Sequence, residues 1–303
     1  MRKQLCDALV ARSAQKNDMV FLTGDLGFNA LEPLKEAMGE RFINAGVAEQ
    51  NMVTVAAAFA AQDLEVWIYS IAPFMYARPF EQIRNDICFH HLPVKLIGNG
   101  GGYGYGVMGP THHAIDDYGA LLTLPGMTAF VPTFNEDVEA VVALAGFGDG
   151  PAYLRMGLGE PPPGWTVPRY QPWRELTTGG GPTVVGVGPV AGTYIGCFEA
   201  MPAEQRPNLW VVGELPLERN LIPEELLTKL DLSARLVVVE EHVRQGSFAS
   251  QLLLNLAERG CAPKRFTHLC ARAHNYGRYG SQTFLRAQSG LDPTTMLCAL
   301  ASI

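Results

Sequence analysis

The sequence predicts an α/β protein built as two three-layer domains with mostly parallel sheets. Three observations carry that expectation. Short β-rich runs alternate with longer helical patterns. A stretch rich in proline and glycine divides the chain into two such series. The length of 303 residues is about twice that of an average domain.

From Asp18 onward the strand patterns are Met19–Thr23, Glu65–Tyr69, Pro93–Gly98, Thr128–Val131 and Ala152–Arg155. The intervening Val47–Gln62, Met75–His91 and Asn135–Ala145 read as helices. Gly157 to Pro182 then breaks the pattern with Pro161-Pro162-Pro163, Pro168, Pro172 and Gly179-Gly180-Gly181, a semi-rigid connector. A second series follows, with strands at Thr183–Val187, Leu209–Val212, Leu236–Glu240 and Phe266–Leu269 and helices at Pro223–Leu230, Phe248–Arg259 and Ser281–Gln288. The expected division is a domain over residues 1–158, a linker over 159–181 and a smaller domain over 182–303.

Composition narrows the function. A net charge of −7 disfavours nucleic acid and anionic membrane as partners. Only 17% of residues are charged, which fits a compact chain with much of its surface against another protein. The two long uncharged runs, Tyr118 to Asn135 and Leu176 to Phe198, are broken by glycine and proline and read as strands and turns rather than membrane spans. Cys6, Cys88, Cys197, Cys261, Cys270 and Cys298 show no C-x-x-C pair and no zinc-type spacing. They read as reduced thiols, mostly core, of a cytoplasmic protein without a targeting segment.

Seven of the twelve residues from Gly98 to Gly109 are glycine, and Gly104 to Gly109 matches G-x-G-x-x-G. A dinucleotide site needs that loop to open into a helix, with an acid about 20 residues further on. Here Pro110-Thr111-His112-His113 follows, and the later position reads Thr128-Ala129-Phe130, so the fingerprint is rejected. The loop still leaves a strand at the edge where open α/β sheets bind ligands, and Tyr103 and Tyr105 lie in it.

Glu49 stands in the first turn of an otherwise apolar helix, within Gly46-Val47-Ala48-Glu49-Gln50-Asn51-Met52. The helix dipole favours its ionised form, whereas burial raises its pKa. The helix carries almost no charge before Asp63, so it is expected to be buried all round.

Gly-Val-Ala-Glu-Gln-Asn-Met, then Tyr69-Ser70-Ile71-Ala72-Pro73-Phe74-Met75-Tyr76-Ala77-Arg78, a glycine loop and Gly109-Pro110-Thr111-His112, resemble the pyrimidine-binding domain of transketolases in order and spacing. The resemblance runs from about Arg2 to Arg155, and the part after the linker resembles the transketolase C-terminal domain. Transketolases also have an N-terminal domain that holds the cofactor diphosphate through Mg²⁺ by a Gly-Asp-Gly motif. Gly24-Asp25-Leu26 is not that motif. The chain therefore resembles the C-terminal subunit of a split transketolase. That implies thiamine diphosphate and Mg²⁺ as cofactors, a partner subunit carrying the diphosphate domain, and an α2β2 assembly.

By the same resemblance Glu49 would hydrogen-bond the aminopyrimidine N1′, so that the 4′ nitrogen can take the proton from C2. A two-carbon ketol unit would then pass from a ketose to an aldose. Phe74 is the candidate for stacking on the aminopyrimidine, with Tyr76 as its competitor, and Asp25 and Leu26 fall near the thiazolium ring. His112 would face the substrate as a proton donor, while His113 has no family counterpart and is read as surface or supporting.

Arg2, Met108 and Arg155 are the further substrate-side candidates. Here the pattern departs from ordinary transketolases. Met108 replaces the acid that reads sugar hydroxyls, and Gly100 stands where a histidine is expected. The sugar-phosphate arginine has no secure match, with Arg155 nearby and Leu158 at the spacing of deoxyxylulose-phosphate synthases. Two other readings share the layout: the beta subunit of a 2-oxoacid dehydrogenase complex, and a non-catalytic assembly subunit. Gly109-Pro110-Thr111-His112 suits ketol transfer better than the former, and retention of Glu49 argues against the latter.

Overall fold

A computed structural model describes residues 1–272 and 279–302. Twelve strands form in chain order: β1 (Met19–Thr23), β2 (Phe42–Asn44), β3 (Glu65–Ile71), β4 (Lys95–Asn99), β5 (Thr128–Phe130), β6 (Ala152–Met156), β7 (Trp173–Thr177), β8 (Thr183–Val187), β9 (Asn208–Val212), β10 (Glu214–Leu215), β11 (Arg235–Glu240) and β12 (Arg265–Cys270). They make two mostly parallel sheets, a seven-stranded one ordered β10-β5-β6-β4-β3-β1-β2 and a five-stranded one ordered β12-β11-β8-β9-β7. Only β10 on β5 and β7 on β9 run antiparallel. The strands β1, β4, β6, β8 and β9 are buried along their whole length, as sheets covered by helices on both faces require.

Two pieces cross the division the sequence suggested. Trp173–Thr177, inside the stretch read as a linker, is the edge strand of the second sheet. Glu214–Leu215, far into the second series, closes the edge of the first sheet. Both are short, and an antiparallel edge strand needs no βαβ pattern to announce it.

Three local expectations also change. The Glu49–Ala60 helix buries one face, through Glu49, Met52, Val53, Ala56, Ala57 and Ala60, and leaves Asn51, Thr54 and Ala58 exposed. It is therefore not buried all round. The helix expected over Met75–His91 is broken: Ala72–Tyr76 stops at a turn over residues 77–79, and the chain resumes with Phe80–Gln82 and a π-helical Ile83–Cys88. Pro79 causes the break, since the residue before a proline is pushed out of helical conformation. The cysteines are all free, but only Cys6 and Cys88 are buried, while Cys261 and Cys298 are exposed.

The two sheets are tied by buried polar contacts. The Arg155 guanidinium donates to the Asp117 carboxylate and to the carbonyls of Ala114 and Glu241. The Tyr118 hydroxyl donates to Glu240, which also accepts from the backbone N–H groups of Phe248 and Ala249.

Candidate active site

The loops that follow β1, β2, β3, β4 and β6 gather at the C-terminal edge of the first sheet, where parallel sheets present ligand sites. Ala48 precedes the helix without a side-chain cap, and Glu49 opens it with its residue only 5% exposed. The dipole of the helix favours a carboxylate there. Arg78 Nη1 donates to Glu49 Oε1 at 2.7 Å. The same guanidinium lies 3.7 Å from the ring centre of Phe74.

Phe74 meets His112 edge to face, with ring centres 5.1 Å apart, and Tyr105 stands 6.1 Å from His112 on its other side. Glu49, Arg78, Phe74, His112 and Tyr105 thus form one continuous line of contacts. His112 shares a 2.9 Å hydrogen bond between its Nδ1 and Thr111 Oγ1. Burial, and then the positive charge of Arg78, hold its imidazole pKa below the ordinary value.

Beyond Tyr105 the line opens into a cavity of about 120 Å³ lined by Arg2, Asn99, Gly100, Tyr105, Gly157 and Leu158. Asn99 Nδ2 donates to the Tyr105 hydroxyl at 2.6 Å, fixing that ring over the cavity. Arg2 is thereby brought to the site's outer end beside Leu158. Met108 is 54% exposed on a short 3₁₀ turn, Gly106–Met108.

Asp25 sits at positive φ, exposed, paired with Asn44 through a 2.8 Å bond from Asn44 Nδ2. Leu26 packs on the core beside it, and its carbonyl accepts from Thr23 Oγ1.

Three sequence expectations meet a different geometry. Tyr76 is buried and its hydroxyl donates to Asp116, whereas Phe74 packs against Arg78 and His112. Arg155 is buried, with donors committed to Asp117 and to the carbonyls of Ala114 and Glu241. His113 is not a surface residue: it is 1% exposed, edge to face with Tyr103, with Nε2 3.2 Å from the Gly106 carbonyl.

The glycines are explained by crowding rather than by phosphate. A Cβ on Gly106 would lie 2.4 Å from the Gly280 carbonyl oxygen, and one on Gly104 would lie 2.8 Å from the Gly100 Cα. The loop is wedged between the two sheets' connections, and this tight seat presents His112.

Sequence reasoning missed Arg78 and Ser70. Ser70, on β3, is fully buried, and among the described residues its hydroxyl has no partner. A Cβ built on Gly24 would stand 3.7 Å from Ser70 Oγ and 3.9 Å from Glu49 Cγ, so the orphaned hydroxyl and the Glu49 side-chain stem flank one point. A buried polar group with no partner marks a place a ligand can satisfy. The signal for Arg78 was the Arg78-Pro79 pair, which ends a helix four residues after Phe74.

With this geometry in hand, comparison with known proteins identifies the family to which this chain belongs. Residues 1–160 match the transketolase pyrimidine-binding domain, and the chain is a member of that family, which implies thiamine diphosphate. It is 30% identical over 302 residues to a 1-deoxy-D-xylulose-5-phosphate synthase of Geobacter sulfurreducens, covering 97% of this chain and 45% of that protein. This chain thus spans less than half the length of that relative. It is 28% identical to one of the subunits of the apulose-4-phosphate transketolase of Actinobacillus succinogenes, covering 97% of this chain and 96% of that one. A split-gene transketolase solved as an inactive beta4 tetramer superposes with a TM-score of 0.85 at 27% identity, covering 99% of this chain and 97% of that one. Transketolase from Leishmania mexicana shares the fold, with a TM-score of 0.78 at 15% identity, across 99% of this chain and 45% of that chain.

Among the described residues no helix is long and apolar enough to cross a membrane.

Proposed function

We propose that this chain is the pyrimidine-holding subunit of a two-component transketolase-type enzyme that moves a two-carbon ketol unit from a ketose to an aldose. The observation that carries this reading is the buried Glu49 carboxylate joined through Arg78 to Phe74 and His112, with the unpartnered Ser70 hydroxyl buried on the neighbouring strand. Similarity along nearly the whole length of one component of a multi-subunit transketolase supports the two-component form. A partner chain would carry the diphosphate and Mg²⁺ site, in an α2β2 assembly. Free thiols at all six cysteines accord with a cytoplasmic setting.

The residues suit an aminopyrimidine ring. Glu49 would hold a proton at the ring nitrogen it faces, Ser70 would satisfy its hydroxyl beside it, and Phe74 would offer its face. When bound, thiamine diphosphate supplies the nucleophilic carbon and the electron sink that ketol cleavage needs. His112, held neutral near pH 7 by burial and Arg78, would accept the Thr111 hydroxyl at Nδ1 and so present an Nε2 proton to a sugar oxygen. Asp25 and Leu26 would border the thiazolium end. The substrate's far end would meet Arg2, Met108 and Leu158, a set with one cation and two apolar side chains.

The test is co-purification of this chain with a diphosphate-domain partner, followed by assay of bound thiamine diphosphate and of ketol transfer between unphosphorylated and phosphorylated sugars. Transfer with a retained cofactor is expected. Release of CO₂ from a 2-oxoacid without ketol transfer, or a complex that holds no cofactor, overturns the reading.

A further inference from the structure

Glu49 and Phe74 are the two surfaces an aminopyrimidine would use, and Arg78 covers both. One guanidinium nitrogen is 2.7 Å from Glu49 Oε1, and the guanidinium carbon is 3.7 Å from the Phe74 ring centre. A planar cation stacked on an aromatic and hydrogen-bonded edgewise to a carboxylate has the shape and bonding of an amino-substituted heterocycle. No ring can take those contacts while the guanidinium keeps them.

Arg78 is also placed to leave. Its side chain is 45% exposed while that of Glu49 is 6% exposed, so one partner is fixed and the other faces solvent. It lies in the turn over residues 77–79, outside any helix and immediately before Pro79. Ion pairs and cation–π contacts of half-exposed groups are weak, so the guanidinium is held closely and released readily.

We propose that Arg78 is a further positioning residue of this site: it fills the ring's seat in the free chain, keeps Glu49 paired, and exchanges that seat for the ligand. The inference rests on the aminopyrimidine reading above and adds the cost of entry. An open fraction of about one-tenth weakens apparent affinity about tenfold.

The test uses the full-length chain and, as probe, 4-amino-5-hydroxymethyl-2-methylpyrimidine, the free ring, with binding followed by calorimetry. Arg78→Ala is expected to bind the ring about tenfold more tightly than the unsubstituted chain, on the same population argument. Arg78→Lys, which keeps charge without the planar stack, should fall between. A second readout needs no ligand. Because the Arg78 charge helps hold the His112 imidazole low, the nuclear magnetic resonance titration midpoint of His112 should rise in Arg78→Ala and stay nearly unchanged in Arg78→Lys.

Equal or weaker binding by both variants, with Glu49→Gln abolishing it, overturns the role of Arg78 and leaves the seat standing. Binding by none of these chains, or full binding by Glu49→Gln, overturns the seat and this inference together.

Discussion

Arg155 and Asp117 form a 2.8 Å ion pair in which the side chains are 3% and 0% exposed, with Gly101 lying directly against the arginine stem. The pair decides which side chains at the end of β6 are free to reach the neighbouring cavity. Arg155 ties the two halves of the molecule together, and the residues that follow, Gly157 and Leu158, are left to line the small cavity beside Arg2 and Tyr105.

Removing that arginine leaves a carboxylate buried with one remaining side-chain donor, the Tyr153 hydroxyl at 2.8 Å. Arg155→Met should destabilise the chain by about 3 kcal/mol or more, the cost of breaking a buried pair. Urea unfolding measures it, and substrate KM in the assembled enzyme should change little.

The outer end of the site gives a substrate prediction. A charge-assisted hydrogen bond contributes about 1.5–3 kcal/mol, or about tenfold or more in affinity. Leu158→Arg should therefore lower KM for a phosphorylated sugar about tenfold while leaving an unphosphorylated one unchanged. Steady-state kinetics with the matched pair of sugars would check it.

The glycine loop predicts a stability effect. Gly106→Ala places a methyl 2.4 Å from a backbone oxygen and 2.8 Å from a backbone nitrogen, neither of which can swing away. Overpacking of this kind costs roughly 1–3 kcal/mol. A lowered Tm with weakened His112-dependent activity is the expected outcome.

His268 predicts a pH dependence. Burial opposes its charge, but hydrogen bonds to Cys270 and to the Glu240 carboxylate win, raising its pKa from 6.5 to about 9. A raised folded-state pKa means the stabilisation is fully present below about pH 6.5 and is lost as pH rises through about 9. Unfolding free energy should fall by about 3 kcal/mol across that window. His268→Gln, measured by denaturant titration at several pH values, should flatten the decline.

The alternation of strand and helix was readable because each inner strand is a short apolar run buried on both faces. The edges were not. β2, β7 and β10 are two to five residues long and sit among turn residues, and their pairing is decided by partners distant in sequence. Glu49 stood out because a lone acid opens an apolar helix, whereas Phe74 was singled out only by the resemblance of its motif to the family. Arg78 and Arg155 could not be sorted from sequence alone. Arg78 lies in a turn after a helix and Arg155 near the end of β6, and only tertiary packing turns one onto Glu49 and seals the other against Asp117. Ser70 is one more residue of β3 until its buried hydroxyl is found, among the described residues, without a partner.

The role of Glu49 is tested most directly by hydrogen–deuterium exchange at C2 of thiamine diphosphate bound to the assembled two-chain enzyme, followed by nuclear magnetic resonance after acid quench. General acid–base assistance contributes about 10²–10⁴-fold, so Glu49→Gln should slow exchange at least about a hundredfold while the cofactor stays bound. Exchange at the unsubstituted rate in a Glu49→Gln complex that retains the cofactor would contradict the account.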